Sequence, residues 1–289
     1  MLGVRASWEG RVTHLAVAEP PEVVTAVNLP PLVKWAGGKR WLVPELRKLY
    51  APHRERRLVE PFCGGLSVVL GLMPQRALLN DLCVPVVALY REVQGGLDWP
   101  ATWPHVNTRA GYYAARAEFN ACCLGGARQG LPYRSLLFYW LLRHCFNGLC
   151  RFNRSGGFNT PFGGYKNPKV VRDFSPHQRA FEPWDFLSGD FESALAARID
   201  TDFIYADPPY DGVFAGYTGS GFSWDDQVRL ADALHQHAGP VVVSNVATDR
   251  VLALYRDRGF NVRTLLAPRR ISCDGDRTPA MEMLATRGL

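Results

Sequence analysis

The distribution of apolar residues along the chain predicts a series of buried strands joined by helices. Residues 57–60, 77–81, 202–206 and 241–245 are short runs that are apolar over most of their length. Such runs are typical of strands buried on both faces of a parallel sheet. Residues 66–70 and 225–237 have the pattern of connecting helices. The order strand, glycine turn, helix and strand is a βαβ unit, so we predict an α/β fold.

Two stretches depart from this pattern. Residues 1–29 have no clear period, and we expect a poorly ordered N-terminal extension there. Residues 99–195 interrupt the alternation of strands and helices, and we interpret them as a domain inserted into a sheet domain of residues 30–98 and 196–289. The insertion has helical segments at 111–123 and 135–146, followed by a segment rich in Gly, Asn and Arg at 147–169.

Composition narrows the class of protein. The net charge of +6 suits a phosphate-rich partner without requiring one. The seven cysteines contain no Cys-x-x-Cys pair and no Cys/His spacing typical of zinc, so we predict reduced thiols and no metal site. The N-terminal region has no apolar run long enough for a signal peptide or a membrane span. We therefore expect a cytoplasmic monomer with no membrane partner.

The most specific motif is Asp207-Pro208-Pro209-Tyr210, which directly follows an apolar run. The exocyclic N6 of adenine is a poor nucleophile because its lone pair is delocalised into the ring. The Asp207 carboxylate and the Pro208 carbonyl could accept its two hydrogens and localise that lone pair. The ring of Tyr210 could stack on a base that has left the double helix. Alternatively, the tetrapeptide is a proline turn with an incidental Asp and Tyr.

A second motif is Gly64-Gly65 after the first run, with Asp81 at the end of the second run. Glycines let a ligand approach the backbone, and an acid in this position can bind ribose hydroxyls. The fingerprint G-x-G-x-x-G is absent, which favours a nucleoside cofactor such as S-adenosylmethionine over a dinucleotide. A structural tight turn explains this motif equally well.

A third motif, Lys34-Trp35-Ala36-Gly37-Gly38-Lys39, combines two lysines, an aromatic residue and a glycine pair. These residue types could bind a nucleoside or an amino-acid carboxylate. The complete phosphate-loop pattern is missing, because Arg40 stands where that pattern has Ser or Thr. An ordinary helix start remains the alternative.

The fourth signal lies in the insertion, over residues 146–154 and 156–166. Arginine can read guanine, asparagine can read adenine, and aromatic side chains can stack on bases or wedge between them. Residues 155–157, Ser-Gly-Gly, suggest the tip of a hairpin that enters a groove of DNA. A flexible loop with a solvated basic face is the alternative for this segment.

Together, and in this order, the motifs resemble those of the Dam-type (D12 class, alpha group) family of DNA adenine-N6 methyltransferases. The resemblance extends from about residue 32 to residue 285 and implies a Rossmann-like S-adenosylmethionine-dependent methyltransferase sheet with an inserted helical and hairpin DNA-recognition domain. The matching segments are KWAGGK at 34–39, EPFCGG at 60–65, FNGLCRFN at 146–153, FNTPFGGYK at 158–166 and DPPY at 207–210.

The resemblance also implies the roles of individual residues. The expected catalytic residues are Asp207, Pro208 and Tyr210, and the expected cofactor contacts are Trp35, Lys39, Gly64, Asp81 and Asp207. Double-stranded DNA would be contacted by Lys34, Phe146, Asn147, Leu149, Arg151, Pro161, Tyr165 and Lys166, with Phe146 as a wedge beside the extruded base. The loop at 146–151 resembles that of relatives that read sites starting with GAT, so we expect the target sequence to be GATC. Leu66 stands where many relatives have a small residue, and Gly164 where relatives often have arginine.

Other functions stay open from the sequence alone. Methylation of cytosine N4 poses the same chemical problem, but those enzymes more often have Ser-Pro-Pro-Tyr. A catalytically inactive DNA-binding relative is a further alternative, as are methylation of RNA or of a protein glutamine. A nicotinamide-dependent oxidoreductase would need the phosphate-binding fingerprint that this chain lacks.

Overall fold

The structure is a computed structural model that describes residues 29–124, 130–211, 221–268 and 279–289. The N-terminal extension predicted at residues 1–29 lies outside these residues, apart from Leu29. Leu29 is buried and belongs to the main hydrophobic core, so the ordered part of the chain begins no later than this residue.

Seven strands of the described chain form one mixed sheet, in the order β3-β2-β1-β4-β5-β7-β6. The first five are parallel to their neighbours, whereas β7 is antiparallel to both β5 and β6. This is the Rossmann-like α/β sheet that the sequence predicted, extended at one edge by an antiparallel pair. The strands are β1 (Leu58–Glu60), β2 (Ala77–Asp81), β3 (Trp184–Ser188), β4 (Phe203–Ala206), β5 (Val241–Val246), β6 (Asn261–Ala267) and β7 (Ala280–Arg287).

The helices α8 (Trp224–His235) and α9 (Asp249–Arg256) begin after residues whose side chains cap the first turn. Ser223 and Asp226 form a capping box at the start of α8, and Thr248 caps α9. None of the described helices is long and apolar enough to cross a membrane. The α-helices are α1 (Val43–Tyr50), α2 (Val69–Leu72), α3 (Val84–Gln94), α4 (Arg109–Leu124), α5 (Leu131–His144), α6 (Ser175–Phe181), α7 (Phe191–Ala196), α8 (Trp224–His235) and α9 (Asp249–Arg256).

The central strands are buried on both faces. Along β4, Phe203 and Tyr205 point into one hydrophobic cluster, and Ile204 and Ala206 point into the other. Successive side chains of a strand alternate between the two faces of a sheet, so a strand covered by helices on both sides is apolar at every position. This explains why the continuous apolar runs in the sequence located β1, β2, β4 and β5.

The sheet resumes earlier in the chain than the domain boundary that we predicted. Strand β3 lies within residues 99–195, yet it pairs in parallel with β2 from Trp184 to Ser188. Strand β3 is at the edge of the sheet and alternates buried and exposed positions, with Asp185 exposed. A strand with one solvated face lacks the continuous apolar run by which we recognised the others. The division into a sheet domain and an insertion otherwise stays a prediction.

The predicted helix at residues 66–70 begins later than expected. Leu66 has a φ of 60°, which is the left-handed region, and α2 starts only at Val69. Glycine adopts this conformation without strain, whereas leucine does not.

The insertion contains the two predicted helices, α4 and α5, and the predicted hairpin. Phe152 pairs with Phe158 in an antiparallel bridge. The backbone N–H of Asn153 donates to the carbonyl of Gly157 at 2.8 Å, and Gly156 at the tip has a φ of 76°. A tight turn of this kind requires a residue that tolerates positive φ, which the glycine provides.

Candidate active site

Polar side chains collect at the carboxyl ends of the central parallel strands. Glu60 ends β1, Asp81 ends β2, Asp207 directly follows β4, and Ser244 lies near the end of β5. The strand order reverses between β1 and β4, since the chain runs outward to β3 on one side and to β5 on the other. A crevice outside the carboxyl ends at such a switch point is where open α/β sheets bind ligands.

Asp207 is fixed by two side chains from other segments. The Lys39 ammonium lies 2.9 Å from Oδ2 of Asp207, and the Ser244 hydroxyl donates to Oδ1 at 2.8 Å. The hydroxyls of Ser244 and Tyr205 are 2.7 Å apart, which extends the chain of hydrogen bonds into the core. Burial raises the pKa of Asp207 above its ordinary value, and the ion pair with Lys39 opposes this shift.

Lys39 joins the Lys-Trp motif to the Asp-Pro-Pro-Tyr motif. Its side chain is only 4% exposed, and its ammonium donates to the carbonyl of Gly37 at 2.8 Å. The same ammonium lies 4.8 Å from the centroid of the Tyr210 ring. Burial, followed by the nearby carboxylates of Asp207 and Glu282, raises the pKa of the Tyr210 phenol, which is therefore neutral.

The turn after β4 is anchored from behind. The side-chain amide of Gln227 on α8 donates to the carbonyl of Pro209 at 2.8 Å. The amide of Asn245 on β5 donates to the Gln227 side-chain oxygen at 3.0 Å. Both amide side chains are completely buried. Helix α8 and strand β5 thus fix the backbone that presents Asp207 and Tyr210.

The glycine turn and Asp81 form the neighbouring part of the crevice. The backbone N–H of Gly64 donates to Oδ2 of Asp81 at 2.8 Å, and that of Cys83 donates to Oδ1 at 2.9 Å. Burial raises the pKa of Asp81, and these two N–H groups lower it. Each carboxylate oxygen can accept more than one hydrogen bond, so Asp81 keeps capacity for a ligand.

Trp35 packs directly on the glycine turn. A Cβ atom on Gly64 would lie 2.7 Å from the Trp35 indole nitrogen, and one on Gly65 would lie 2.7 Å from Trp35 Cβ. Contacts this short do not occur, so both positions need glycine. The structure therefore brings Trp35, Gly64 and Asp81 together, as the motifs predicted, through an approach that any larger residue would block.

Glu60 is a site residue that the sequence analysis did not single out. Its side chain is 2% exposed, and its Oε1 atom has no hydrogen-bond partner in the described part of the chain. Burial, and then the negative charge of Asp207, raise the pKa of Glu60 well above its ordinary value. The sequence could have indicated Glu60, because an acid that ends a buried strand just before a glycine turn lies at the carboxyl edge of the sheet.

Predicted nucleic-acid contacts from distant parts of the chain also come together. The Lys34 ammonium lies 3.7 Å from the centroid of the Tyr165 ring, and the Tyr165 hydroxyl accepts a hydrogen bond from the Asn147 backbone N–H at 2.9 Å. A Cβ atom on Gly148 would lie 2.3 Å from Lys34 Cβ. Because Lys34 precedes Trp35, this cluster lies next to the glycine turn.

The remaining predicted contacts extend the same surface. Phe146 is 43% exposed, and its backbone N–H donates to the carbonyl of Pro161 at 2.8 Å. The carbonyl of Leu149 accepts a hydrogen bond from the buried Thr160 hydroxyl at 2.7 Å, while the exposed Arg151 donates to the Asn159 side chain at 3.0 Å. Lys166 is exposed. Phe146 is thus an exposed apolar side chain within this otherwise polar surface.

The sheet order and the carboxylates at the switch point define a class, an α/β protein with a ligand crevice at the carboxyl ends of its strands. The chain belongs to the family of D12 class N6 adenine-specific DNA methyltransferases, whose family model matches residues 35–268. This assignment confirms the resemblance stated above and favours adenine over cytosine as the target. No group of three or more His, Cys, Asp or Glu residues in the described ranges is placed to hold a metal ion.

The family assignment is supported by similar proteins. The chain is 35% identical over 272 residues to the Retron Ec67 DNA adenine methylase of Escherichia coli, covering 89% of this chain and 91% of that protein. It is 35% identical over 274 residues to a DNA adenine methylase of Vibrio cholerae, covering 88% and 94%. It is 34% identical to a DNA N-6-adenine-methyltransferase of Escherichia phage P1, but spans only 33% of that longer protein.

Proposed function

We propose that this protein transfers a methyl group from S-adenosylmethionine to N6 of an adenine that has been rotated out of duplex DNA, within the sequence GATC. The observation that supports the proposal most directly is the position of Asp207. This carboxylate is 18% exposed, paired with Lys39 and Ser244, and lies beside the ring of Tyr210. The same edge of the sheet presents Gly64 and Asp81.

The crevice fits a nucleoside cofactor. Trp35 covers the glycine turn, which gives a ligand a flat apolar surface, and Asp81 retains acceptor capacity for ribose hydroxyls. A dinucleotide would need the phosphate-binding fingerprint that the sequence lacks. We therefore assign Trp35, Gly64 and Asp81 to the cofactor, with Lys39 and Asp207 at the end nearest the target base. S-adenosylmethionine, when bound, supplies an electrophilic methyl group.

The residues of the turn prepare the target nitrogen. Asp207 and the carbonyl of Pro208 accept the two N6 hydrogens, which localises the lone pair on nitrogen. Tyr210 provides a face on which the extruded base stacks. Lys39 favours the ionised form of Asp207, and an ionised carboxylate is the stronger acceptor. Catalysis then depends on positioning and electrostatics rather than on a covalent intermediate, so no cysteine is required.

The surface formed by Lys34 and residues 146–166, which we call the recognition surface, would direct the enzyme to its target DNA sequence. Lys34, Asn147 and Arg151 offer donors to base edges or phosphates, and the exposed ring of Phe146 is suited to occupy the space that the extruded base leaves. Tyr165 and Lys166 would contact the backbone of the DNA. The net charge of +6 supports binding to a polyanion. The GATC assignment depends on the resemblance of residues 146–151 to relatives that read sites starting with GAT.

The test is methyl transfer from radiolabelled S-adenosylmethionine to duplex DNA, together with mapping of modified bases in DNA from cells that express the protein. We expect N6-methyladenine in GATC, and a fall in turnover of at least about 100-fold for Asp207→Ala, typical of losing one preorganised partner. The variant Asp200→Ala removes an exposed carboxylate and serves as the control.

Three outcomes would contradict the proposal. A near-wild-type rate in Asp207→Ala would exclude the mechanism, provided thermal unfolding shows both variants to be folded. Methylated cytosine in the mapped DNA would replace the assigned target with cytosine N4. A complete absence of methyl transfer by the wild-type chain would favour an inactive DNA-binding relative.

A further inference from the structure

A second concave site lies in the insertion, away from the carboxyl edge of the sheet. The cavity has a volume of about 380 Å³ and is enclosed by the segment before α4, by α5 and by the loop that precedes α6. This volume is within the range of about 300–1,000 Å³ that is usual for small-molecule sites. None of the catalytic or cofactor residues assigned above lines it.

Aromatic rings form much of the cavity wall. The rings of Trp99 and Trp103 are 4.8 Å apart between centroids, and Trp140 stacks on His144 with centroids 3.8 Å apart and an interplanar angle of 21°. All four residues line the cavity. Flat aromatic faces with open space beside them are the surfaces on which planar heterocycles stack.

Two polar atoms of residues in this wall have hydrogen-bonding capacity that the described chain does not use. His144 is 2% exposed, and its Nδ1 is 2.7 Å from the carbonyl of Trp140, so Nδ1 carries the hydrogen. Burial lowers the pKa of His144 to about 4, which leaves the ring neutral and Nε2 as an acceptor. The buried indole N–H of Trp103 has no hydrogen-bond partner among the described residues. The wall therefore presents one acceptor and one donor beside the stacking faces.

The charge around the cavity favours an anion. Arg172 lines it, with its guanidinium 5.8 Å from the centroid of Trp99, and Lys169 is exposed three residues earlier. No Asp or Glu of the described chain lines the cavity. Of the acids near the lining residues, Glu118 is paired with His105 at 2.9 Å, and Asp173, which follows Arg172, is exposed. An aromatic cage for a cation would need a carboxylate and would not place an arginine at its rim.

We propose that this cavity is an accessory nucleotide site, in which a nucleobase stacks on the tryptophan rings and its phosphate pairs with Arg172. A nucleobase has edge donors and acceptors that match His144 and Trp103. The nucleotide could be free, or it could belong to a strand bound nearby. The second source has a structural link, because Asn107, which lines the cavity, donates to the carbonyl of Tyr165 at 2.8 Å. This site shares no residue with the proposed methyl-transfer site.

The experiment measures binding by calorimetry with the full chain and without a methyl donor. The probes are the mononucleotide dTMP and a single-stranded hexamer of deoxythymidine, which contain neither adenine nor a methylation site. The variants are Trp99→Leu, which removes a stacking face, and Arg172→Ala, which removes the exposed charge. Arg179→Ala, an exposed arginine outside the cavity, is the control.

We expect Trp99→Leu to weaken binding at least about tenfold, within the range for loss of one aromatic–base stack. Arg172→Ala should weaken it several-fold and reduce its dependence on salt. Binding of dTMP alone identifies a free nucleotide as the ligand, and binding of the hexamer only identifies a strand. The proposal is overturned if neither probe binds, or if Arg172→Ala and Trp99→Leu, both shown to be folded, bind like Arg179→Ala. Loss of methyl transfer has no bearing on these results.

Discussion

The charge of Asp207 is set by two opposing influences within one hydrogen-bonded group. Burial favours the neutral acid, and the ammonium of Lys39 at 2.9 Å favours the carboxylate. Lys39 is itself nearly inaccessible to solvent. The attraction between Lys39 and Asp207 therefore offsets the free-energy cost of burying each charge. Glu60, in contrast, is buried close to Asp207, and no cation acts to lower its pKa.

The state of Glu60 gives a prediction at the scale of one residue. Above its ordinary pKa of 4.5, the unfolded chain releases the proton of Glu60 while the folded chain retains it. The free energy of unfolding therefore falls as pH rises above 4.5, by at most about 1.4 kcal/mol per pH unit for this group. Glu60→Gln removes the titration, so the stability of this variant relative to wild type should increase as the pH rises above 4.5.

Urea denaturation at several pH values measures this effect. Glu55→Gln, at an exposed position, is the matched control and should show no such trend. If the difference in stability between Glu60→Gln and wild type is independent of pH, Glu60 is ionised in the folded protein and our assignment of its proton is wrong.

At the scale of elements, helix α8 and strand β5 act together on the catalytic turn. Gln227 bonds the carbonyl of Pro209, and Asn245 bonds Gln227, with both side chains fully buried. A buried polar network of this kind rigidifies the backbone only while every member is paired. We therefore expect the hydrogen bond from Gln227 to position the turn that carries Asp207 and Tyr210, and not only to pack α8 against the sheet.

Gln227→Leu should lower kcat while changing KM for the methyl donor little. The substitution keeps the side-chain volume but leaves the Pro209 carbonyl and the Asn245 amide unpaired, which costs about 1–3 kcal/mol of stability for each group. We expect kcat to fall by about tenfold or more, because a small displacement of a positioned group has large effects on rate. Steady-state kinetics measure both constants. Gln236→Leu, at the exposed end of α8, is the control, and equal kinetics for the two variants would contradict the role.

The approach of the insertion to the Lys-Trp motif gives a second prediction at this scale. Gly148 has a φ of 67°, and a Cβ atom there would lie 2.3 Å from Lys34 Cβ. Gly164 has a similar φ of 65°, but a Cβ atom there would meet nothing within 4 Å. Gly148→Ala thus adds a steric clash to the backbone strain that Gly164→Ala introduces alone.

We expect Gly148→Ala to weaken binding of a GATC duplex at least about tenfold more than Gly164→Ala, a difference of about 1.4 kcal/mol. Displacing Lys34 separates it from Tyr165, and both are assigned to the DNA surface. Fluorescence anisotropy with a labelled duplex measures the affinity, and thermal unfolding confirms that both variants fold. Equal losses of affinity would show that the contact between Gly148 and Lys34 does not organise this surface.

At the scale of the whole molecule, the fold places the proposed cofactor residues and the proposed DNA-binding surface side by side. Lys34 and Trp35 are adjacent in sequence, yet Lys34 contacts the insertion and Trp35 contacts the glycine turn of the sheet. The close approach of Gly148 and Tyr165 to Lys34 holds this part of the insertion beside Trp35, which packs on the glycine turn that follows β1. A polyanion bound to the insertion would therefore lie close to Asp207.

The salt dependence of DNA binding should distinguish residues that contact the DNA backbone from residues that read bases. Lys166→Ala removes an exposed cation assigned to the DNA backbone, so affinity should fall equally for GATC and unrelated duplexes, and the slope of log K against log salt should decrease by about 0.9. Arg151→Ala should instead reduce the preference for GATC. Titrations at several salt concentrations test both, and a sequence-specific loss in Lys166→Ala would assign that lysine to base reading.

The sequence by itself determined those elements whose residue types show directly whether the element is buried or forms a tight turn. Strands β1, β2, β4 and β5 are apolar over most of their length because both of their faces are buried, and that property is visible without coordinates. The motifs at Trp35, Gly64 and Asp207 were recognisable because a turn or a close approach restricts the residue types that fit. The family assignment follows from the same motifs and was confirmed by comparison.

Only the tertiary structure decided which distant groups meet. Edge strand β3 has a solvated face and was missed, and the position of β7 between β5 and β6 follows from hydrogen bonding that no local pattern encodes. The burial of Glu60 and the anchoring of Pro209 by Gln227 depend on the packing of elements far apart in sequence. Local residue types fix backbone preferences, whereas burial and charge compensation arise only when separate segments enclose the same space.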